Sequence, residues 1–367
     1  MRPRVLHIVP AVFGGDGGVF GGAERYAFEL ARHMAEQVPT ALVSFGPDST
    51  VRAAGRLRVR VLGKPWHVRG QRTNPLHPGL VREVLRADVV HCHQQHVVAS
   101  SLAAALCRLA GRRVFVSDLG GGGWDVSAYT STDRWYHGHL HISRYSRRAS
   151  GHDGEPTARV ILGGVDADRF SPDPAAPRDG SVLFVGRLMP HKGVNDLVDA
   201  VPPDLRLDLI GRPYDSRYLL DLRRRAAGKS VCFRHDCTDA DLVAAYRRSL
   251  CLVLPSVYRT LYGDESRVPE LLGQTLLEGM ACGIPGVCTD VASMPEVVED
   301  GVTGFVVPPN DPASLRRRLL WLRDHPAEAR RMGAAARRSV LEKFRWPAVV
   351  RRCLDAYAGR AERDTPV

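Results

Sequence analysis

Two glutamates, Glu270 and Glu278, stand eight positions apart in the stretch ELLGQTLLEGMACGIPGVCTDVASMPEVVEDGVTGFVVPPND. An ionised carboxylate accepts two hydrogen bonds at once from a vicinal diol, the pattern of a ribose or a sugar ring. Glu278 falls early in an expected helix, where free N–H groups and the dipole gather. That helix runs through Gly279, Met280, Ala281 and Cys282 and is stopped by Gly283 and Pro285. Glu270 lies in the loop before it, with Leu272 and Gly273, and the glycine permits backbone to approach a bound ring. Spacing alone supports a surface helix with two solvated glutamates equally well. Upstream, a strand-like Ser181–Val185 leads into Gly186, Arg187 and, after Leu-Met-Pro-His, Lys192 and Gly193. Arginine grips phosphate oxygens as a fork and lysine as a point charge. Two fixed cations at a strand's carboxyl end stabilise the charge that grows on a departing diphosphate. Taken singly, such residues are most often surface charges.

Together, the E-x7-E spacing, the MACG-x-P run and the MPEVVEDGVTGFVVPPND segment resemble the donor-site signature of the GT4-type glycosyltransferases, retaining enzymes of the GT-B fold. The resemblance implies that Glu278 holds the nucleotide ribose and Glu270 the donor sugar. It implies that Arg187 and Lys192, in a V-G-R-L-x3-K-G match, hold the diphosphate. The GGAER element, with Gly21 and Gly22, is expected against the donor phosphates and the acceptor. The segments HISRYSRRAS (141–150), RVILGGVDADRF (159–170) and Pro255-Ser256 match further family steps, with Gly163 standing where the family has asparagine. Asp118 stands where related enzymes often carry a histidine facing the reacting sugar. Glu270, Arg187, Lys192 and Asp118 are therefore the catalytic candidates. The family's same-face attack implies catalysis by positioning and leaving-group stabilisation. No cofactor and no metal are expected, because Arg187 and Lys192 supply the countercharge. UDP is the expected carrier, as the commonest in the family.

The acceptor is read from Asp16, Asp118 and Asp125, three acids near presumed strand ends that suit a cationic molecule. An aminocyclitol of an aminoglycoside pathway is one such acceptor, and TLLEGMACG looks closest to secondary-metabolite members of the family. A lipid-linked or cell-surface saccharide is the rival, with Trp66–Arg69 as its candidate surface. A nucleotide-sugar epimerase and a non-catalytic sugar-nucleotide binder are the other classes. The E-x7-E run speaks against the first, and retention of both Arg187 and Lys192 against the second.

These groups need a scaffold that brings strand ends together. Arg4–Val9 is a β-branched run, read as a buried strand. A glycine-rich loop follows, then a helix over Ala23–Gln37 with Tyr26, Leu30 and Met34 four apart. Strands are expected at Ala41–Phe45, Arg58–Leu62, Asp88–Cys92 and Arg113–Ser117, with helices at Gly79–Arg86 and Val97–Ala110. This repeated β-α pattern implies doubly wound parallel sheets. The alternation restarts after a proline-rich linker, SPDPAAPRDG (171–180). The expected organisation is an α/β, GT-B architecture of two Rossmann-like domains facing a central cleft. Residues 1–170 form the acceptor domain, 181–345 the nucleotide-sugar domain, and 346–367 a helix crossing back to the first.

Composition excludes several classes. The chain has 367 residues, 44% apolar and 25% charged, ordinary values for a globular protein of two domains. No run is long and apolar enough to span a membrane, and MRPRVLHIVP lacks the form of a secretory signal, so a cytoplasmic location is expected. The eight cysteines include no C-x-x-C, which argues against a disulfide framework or a zinc site. A net charge of +11 suits an anionic ligand. The basic tracts Arg223–Arg225 and Arg316–Arg318 carry no interleaved aromatics, so nucleic acid is not expected. His91, His93 and His96 form a histidine-rich strand end without an evident fourth metal ligand. Oligomeric state is not readable from the chain.

Overall fold

The computed structural model describes residues 2–12, 22–120 and 123–360. The chain divides into two compact units. The first comprises residues up to Ile142, Ser146–Gly163 and the stretch from Trp346; the second comprises Ser143–Tyr145 and Gly164–Arg345.

The first unit opens with β1 (Val5–Val12), α1 (Gly22–Ala35), β2 (Thr40–Gly46), β3 (Thr50–Ala54) and β4 (Leu57–Gly63). It continues with β5 (Trp66–His67), β6 (Pro75–Leu76), α2 (Gly79–Arg86), β7 (Val89–Cys92) and α3 (Val98–Leu109). It closes with β8 (Arg113–Val116), β9 (Gly138–His141), α4 (Arg144–Ala149) and β10 (Ala158–Val160). Eight of these strands form one sheet in the order β10-β9-β8-β7-β1-β2-β4-β3. All pairs are parallel except β3 with β4. Its central strands are buried on both faces, as a sheet covered by helices requires. Ile8, Val43, Val90 and Val114 meet Leu80, Val84, Ala103 and Cys107 in one core.

The second unit contains β11 (Val182–Val185), α5 (Val194–Ala200), β12 (Leu207–Ile210), α6 (Ser216–Arg225), β13 (Val231–Arg234), α7 (Asp239–Arg248) and β14 (Cys251–Leu254). After these come α8 (Gln274–Ala281), β15 (Gly286–Thr289), β16 (Gly304–Val307), α9 (Pro312–Asp324) and α10 (Pro326–Lys343). Its six strands are parallel in the order β13-β12-β11-β14-β15-β16, a doubly wound arrangement. The last helix, α11 (Trp346–Tyr357), belongs to the first unit. There Trp346 packs on Tyr26 of α1, and the Tyr357 hydroxyl lies 2.7 Å from His91 Nδ1.

All eight cysteines are free thiols, and six are buried. Among the described residues no helix is long and apolar enough to cross a membrane.

Candidate functional site

In the second sheet, β11, β12 and β13 extend to one side and β14, β15 and β16 to the other, so the strand order reverses between β11 and β14. Ligands of open parallel sheets bind beyond the carboxyl ends of the strands at such a reversal. The two loops that matter begin here. β11 runs into Gly186 and Arg187, then a tight 3-10 turn, Pro190–Lys192. β14 runs into Pro255, Ser256 and Val257. The loops are pinned together, because Val257 N–H donates to the His191 carbonyl at 2.9 Å. Gly193 follows with φ of 62°, and a Cβ at that position would lie 1.9 Å from the Pro255 oxygen. Only glycine lets this turn close, and its closure sets where Lys192 leaves the backbone.

Lys192 is 9% exposed. Its Nζ lies 2.5 Å from Glu270 Oε2 and 3.4 Å from the Pro269 carbonyl. The other Glu270 oxygen accepts the Gly273 N–H at 3.2 Å. Gly273, with φ of 75°, is the residue that turns the chain into α8. Lys192, Glu270 and the start of α8 are thus one connected chain of charge and hydrogen bonds. Leu272 is buried beside it. His191 lies among the same charges, and its pKa is pushed down to about 4, first by burial and then by the Lys192 and Arg187 cations. The imidazole is therefore neutral near pH 7, and the local positive charge belongs to Arg187 and Lys192. Arg187 itself is exposed, with its guanidinium 5.6 Å from the centre of the Tyr214 ring.

Glu278 is 5% exposed and accepts the Tyr246 hydroxyl at 2.8 Å, so it is not a solvated surface glutamate. It is the fifth residue of α8, beyond the first turn. The helix-start N–H group goes to Glu270 instead, which corrects the expectation that the helix terminus serves Glu278. Tyr246 and His191 were not singled out from the sequence. The only signal of Tyr246 is its place on the buried side of α7.

In the first unit, Asp118 is half-buried just past β8, and its Oδ1 accepts the Gly120 N–H at 3.2 Å. Asp125 is 1% exposed and caps the 3-10 turn Val126–Ala128. Its carboxylate takes the Ser127 N–H at 2.9 Å and the hydroxyls of Ser127 and Ser101. The acceptor expectation for Asp125 is corrected accordingly, because the fold itself uses this carboxylate. Gly22 opens α1, and among the described residues a Cβ there would meet nothing within 4 Å. Asp16 and Gly21 lie outside the described residues. His91 and His93 converge on His7, not on His96. His7 Nδ1 lies 2.8 Å from His93 Nε2, while His96 bonds Ser127 Oγ at 3.0 Å.

Comparisons with known proteins fit this frame. Residues 167–339 match the family described as glycosyl transferases group 1, and residues 20–169 match glycosyltransferase family 4. The glycogen synthase of Mycobacterium tuberculosis is 32% identical over a match that covers 56% of this chain and 49% of that protein, about half its length. A GDP-mannose-dependent alpha-(1-6)-phosphatidylinositol monomannoside mannosyltransferase of Mycolicibacterium smegmatis is 30% identical over 93% of this chain and 88% of its own. The Anabaena protein Alr3699/HepE, solved in complex with UDP and glucose, has a similar fold, with a TM-score of 0.74 at 19% identity over 97% of this chain and all of that one. By its two matched segments and its near full-length relative, the chain belongs to the GT4-type glycosyltransferases of the GT-B fold.

Proposed function

We propose that the protein is a retaining hexosyltransferase, with a nucleoside-diphosphate sugar as donor and the hydroxyl of a small polar molecule as acceptor. The observation that carries this reading is the Lys192–Glu270 pair, held at the sheet's reversal point by the Gly193 turn. In the proposed reaction the bond from the sugar's anomeric carbon to the phosphate oxygen breaks, and a bond to the acceptor oxygen forms on the same face. The acceptor proton ends on the departing phosphate. Lys192 and Arg187 offset the charge that appears on the diphosphate, which is worth most in a partly dehydrated site. Glu270 orients Lys192 and offers its carboxylate to sugar hydroxyls. Glu278, oriented by Tyr246, takes the ribose. Neutral His191 keeps a third cation out of the site.

UDP is the favoured carrier. The acceptor side is proposed on the first unit, with Asp118 as the carboxylate for a cationic aminocyclitol of the kind found in antibiotic pathways. A second reading has a specific observation behind it. The near full-length relative is named for GDP-mannose and a phosphatidylinositol mannoside, and Trp66 is 68% exposed, as a surface meeting a lipid-linked acceptor would be. One experiment separates these readings. UDP, GDP, ADP and dTDP are compared by thermal shift on wild type and Glu278→Ala, since a ligand of the folded state raises the melting temperature by mass action. Stabilisation by UDP that the variant loses supports the first reading, and stabilisation by GDP the second. No shift with any nucleotide removes the donor assignment. If Asp118→Asn leaves the acceptor KM unchanged, the cationic acceptor is discarded.

A further inference from the structure

A second cluster of chemically able side chains lies wholly in the first unit, apart from the groups assigned to the donor. Asp133 opens a 3-10 turn, Asp133–Trp135; His139 sits on β9; and His152 follows α4. Residues far apart in the chain thus converge through the sheet. Asp133 Oδ1 lies 3.7 Å from His139 Nε2 and 4.0 Å from His152 Nε2, and all three atoms fall within 4.8 Å of one another. We propose that Asp133, His139 and His152 form a binding site for a divalent transition-metal ion of the Zn2+ or Co2+ type, with its remaining position open to water.

Four observations carry this. First, His139 is 5% exposed and its Nε2 is buried with no hydrogen-bond partner, facing the carboxylate. A buried nitrogen left without a partner is costly, and a metal ion would satisfy it. Second, His152 Nδ1 lies 3.2 Å from His141 Nε2. If Nδ1 carries the proton and donates it there, the His152 Nε2 lone pair is left facing Asp133, as in metal sites whose ligating imidazole is oriented by a second hydrogen bond. Third, Gln95 Nε2 donates to Asp133 Oδ1 at 2.5 Å and Ser131 Oγ donates to Oδ2 at 3.0 Å, so the carboxylate is oriented as well. Fourth, the Asp133 side chain is 49% exposed, which leaves an entry path. A tetrahedral ion with bonds of about 2.0–2.1 Å needs ligand atoms roughly 3.3 Å apart, so from 3.7 Å and 4.0 Å the carboxylate must close on the two imidazoles by roughly half an ångström, and the imidazole nitrogens, within 4.8 Å of one another, by at most about 1.5 Å. Two imidazoles and one carboxylate favour Zn2+ or Co2+ over Mg2+ or Ca2+.

The other histidine cluster, His7, His91 and His93, also holds a buried nitrogen without a partner, His93 Nδ1, but among the described residues it has no carboxylate and no exposed member to admit an ion. Both nitrogens of His7 are engaged, by His93 and Met34, and both of His91, by Ser117 and Tyr357. The three rings are at most 3% exposed. The glycosyl transfer is not routed through the Asp133 site. An ion there would tie the 3-10 turn, β9 and the segment after α4 together.

The test uses the full chain, stripped with chelator, reloaded with Zn2+ and desalted, with metal content and melting temperature as readouts. Wild type is expected to keep one Zn2+ per chain and to melt higher with Zn2+ than without. His93→Ala should do the same. Asp133→Asn and His152→Ala should keep none and lose the Zn2+-dependent rise, and His141→Ala should weaken binding about tenfold. Asp133→Asn is nearly isosteric at a half-exposed position, and a cooperative metal-free melt establishes that it is folded. If wild type keeps no Zn2+, if Asp133→Asn keeps it, or if His93→Ala loses it, the site is refuted.

Discussion

Replacing Lys192 with methionine separates stability from chemistry at one residue. The Lys192 and Glu270 side chains are 11% and 16% exposed, with charged atoms 2.5 Å apart. At an effective dielectric of about 20, two unit charges at that separation attract by roughly 7 kcal/mol. Removing two ions from water costs several kcal/mol each, so the pair nets close to zero against a neutral counterpart. Losing one partner is different. In Lys192→Met the Glu270 carboxylate stays buried with the Gly273 N–H but without its cation, and the expected loss is about 3 kcal/mol. Adding Glu270→Gln removes the stranded charge and should return most of that, leaving a loss of about 1 kcal/mol. Calorimetry and urea denaturation of the two single variants and the double variant measure the coupling. Transfer activity should not recover with stability, because the double variant still lacks the leaving-group cation; a fall of about a hundredfold or more is expected in both lysine variants. The exposed Arg187 is the control. Arg187→Ala should change stability by no more than about 0.5 kcal/mol and still weaken diphosphate binding. A Lys192→Met loss below about 1 kcal/mol, or a double variant no more stable than the single, would refute the reasoning.

Three more outcomes are expected. Gly193→Ala forces a left-handed φ on alanine and puts its Cβ 1.9 Å from the Pro255 oxygen; a loss of about 3 kcal/mol or more, with weaker nucleotide binding, should appear in melting and titration, and a neutral result contradicts the turn's role. Tyr246→Phe takes a donor from buried Glu278, so about 2 kcal/mol of stability should go together with nucleotide affinity, and an unchanged dissociation constant would detach Tyr246 from the site. The pKa of His191 is lowered from 6.5 to about 4 and that of His7 to about 3. The unfolded chain therefore binds more protons between those values, and stability is full above pH 6.5 and falls as pH drops toward 3. His191→Gln should lose less stability than wild type between pH 6.5 and 4, and superimposable profiles would contradict this.

The regular elements were legible where burial patterns were strong. The helix expected over Gly79–Arg86 is α2 to the residue, and the strand expected at Arg58–Leu62 is β4 with one residue more at each end. The edge strand β3 was missed, because it is largely exposed and carries no apolar alternation. Family membership was legible too, because Glu270, Glu278, Arg187, Lys192 and the glycines between them sit in local motifs whose spacing survives in one dimension. Partnership was not. Lys192 finds Glu270 across 78 positions, Glu278 finds Tyr246 across 32, and Asp133 meets His139 and His152 only after β9 and α4 are in place. Asp125 looked like a ligand group and is a cap, because two serines that no motif marks reach it in the fold. By itself the sequence determined which elements form and which chemical groups are available, since both depend on neighbours along the chain. The tertiary structure decided which charges are paired and which carboxylates are already spent, because burial and hydrogen bonding are set by neighbours in space.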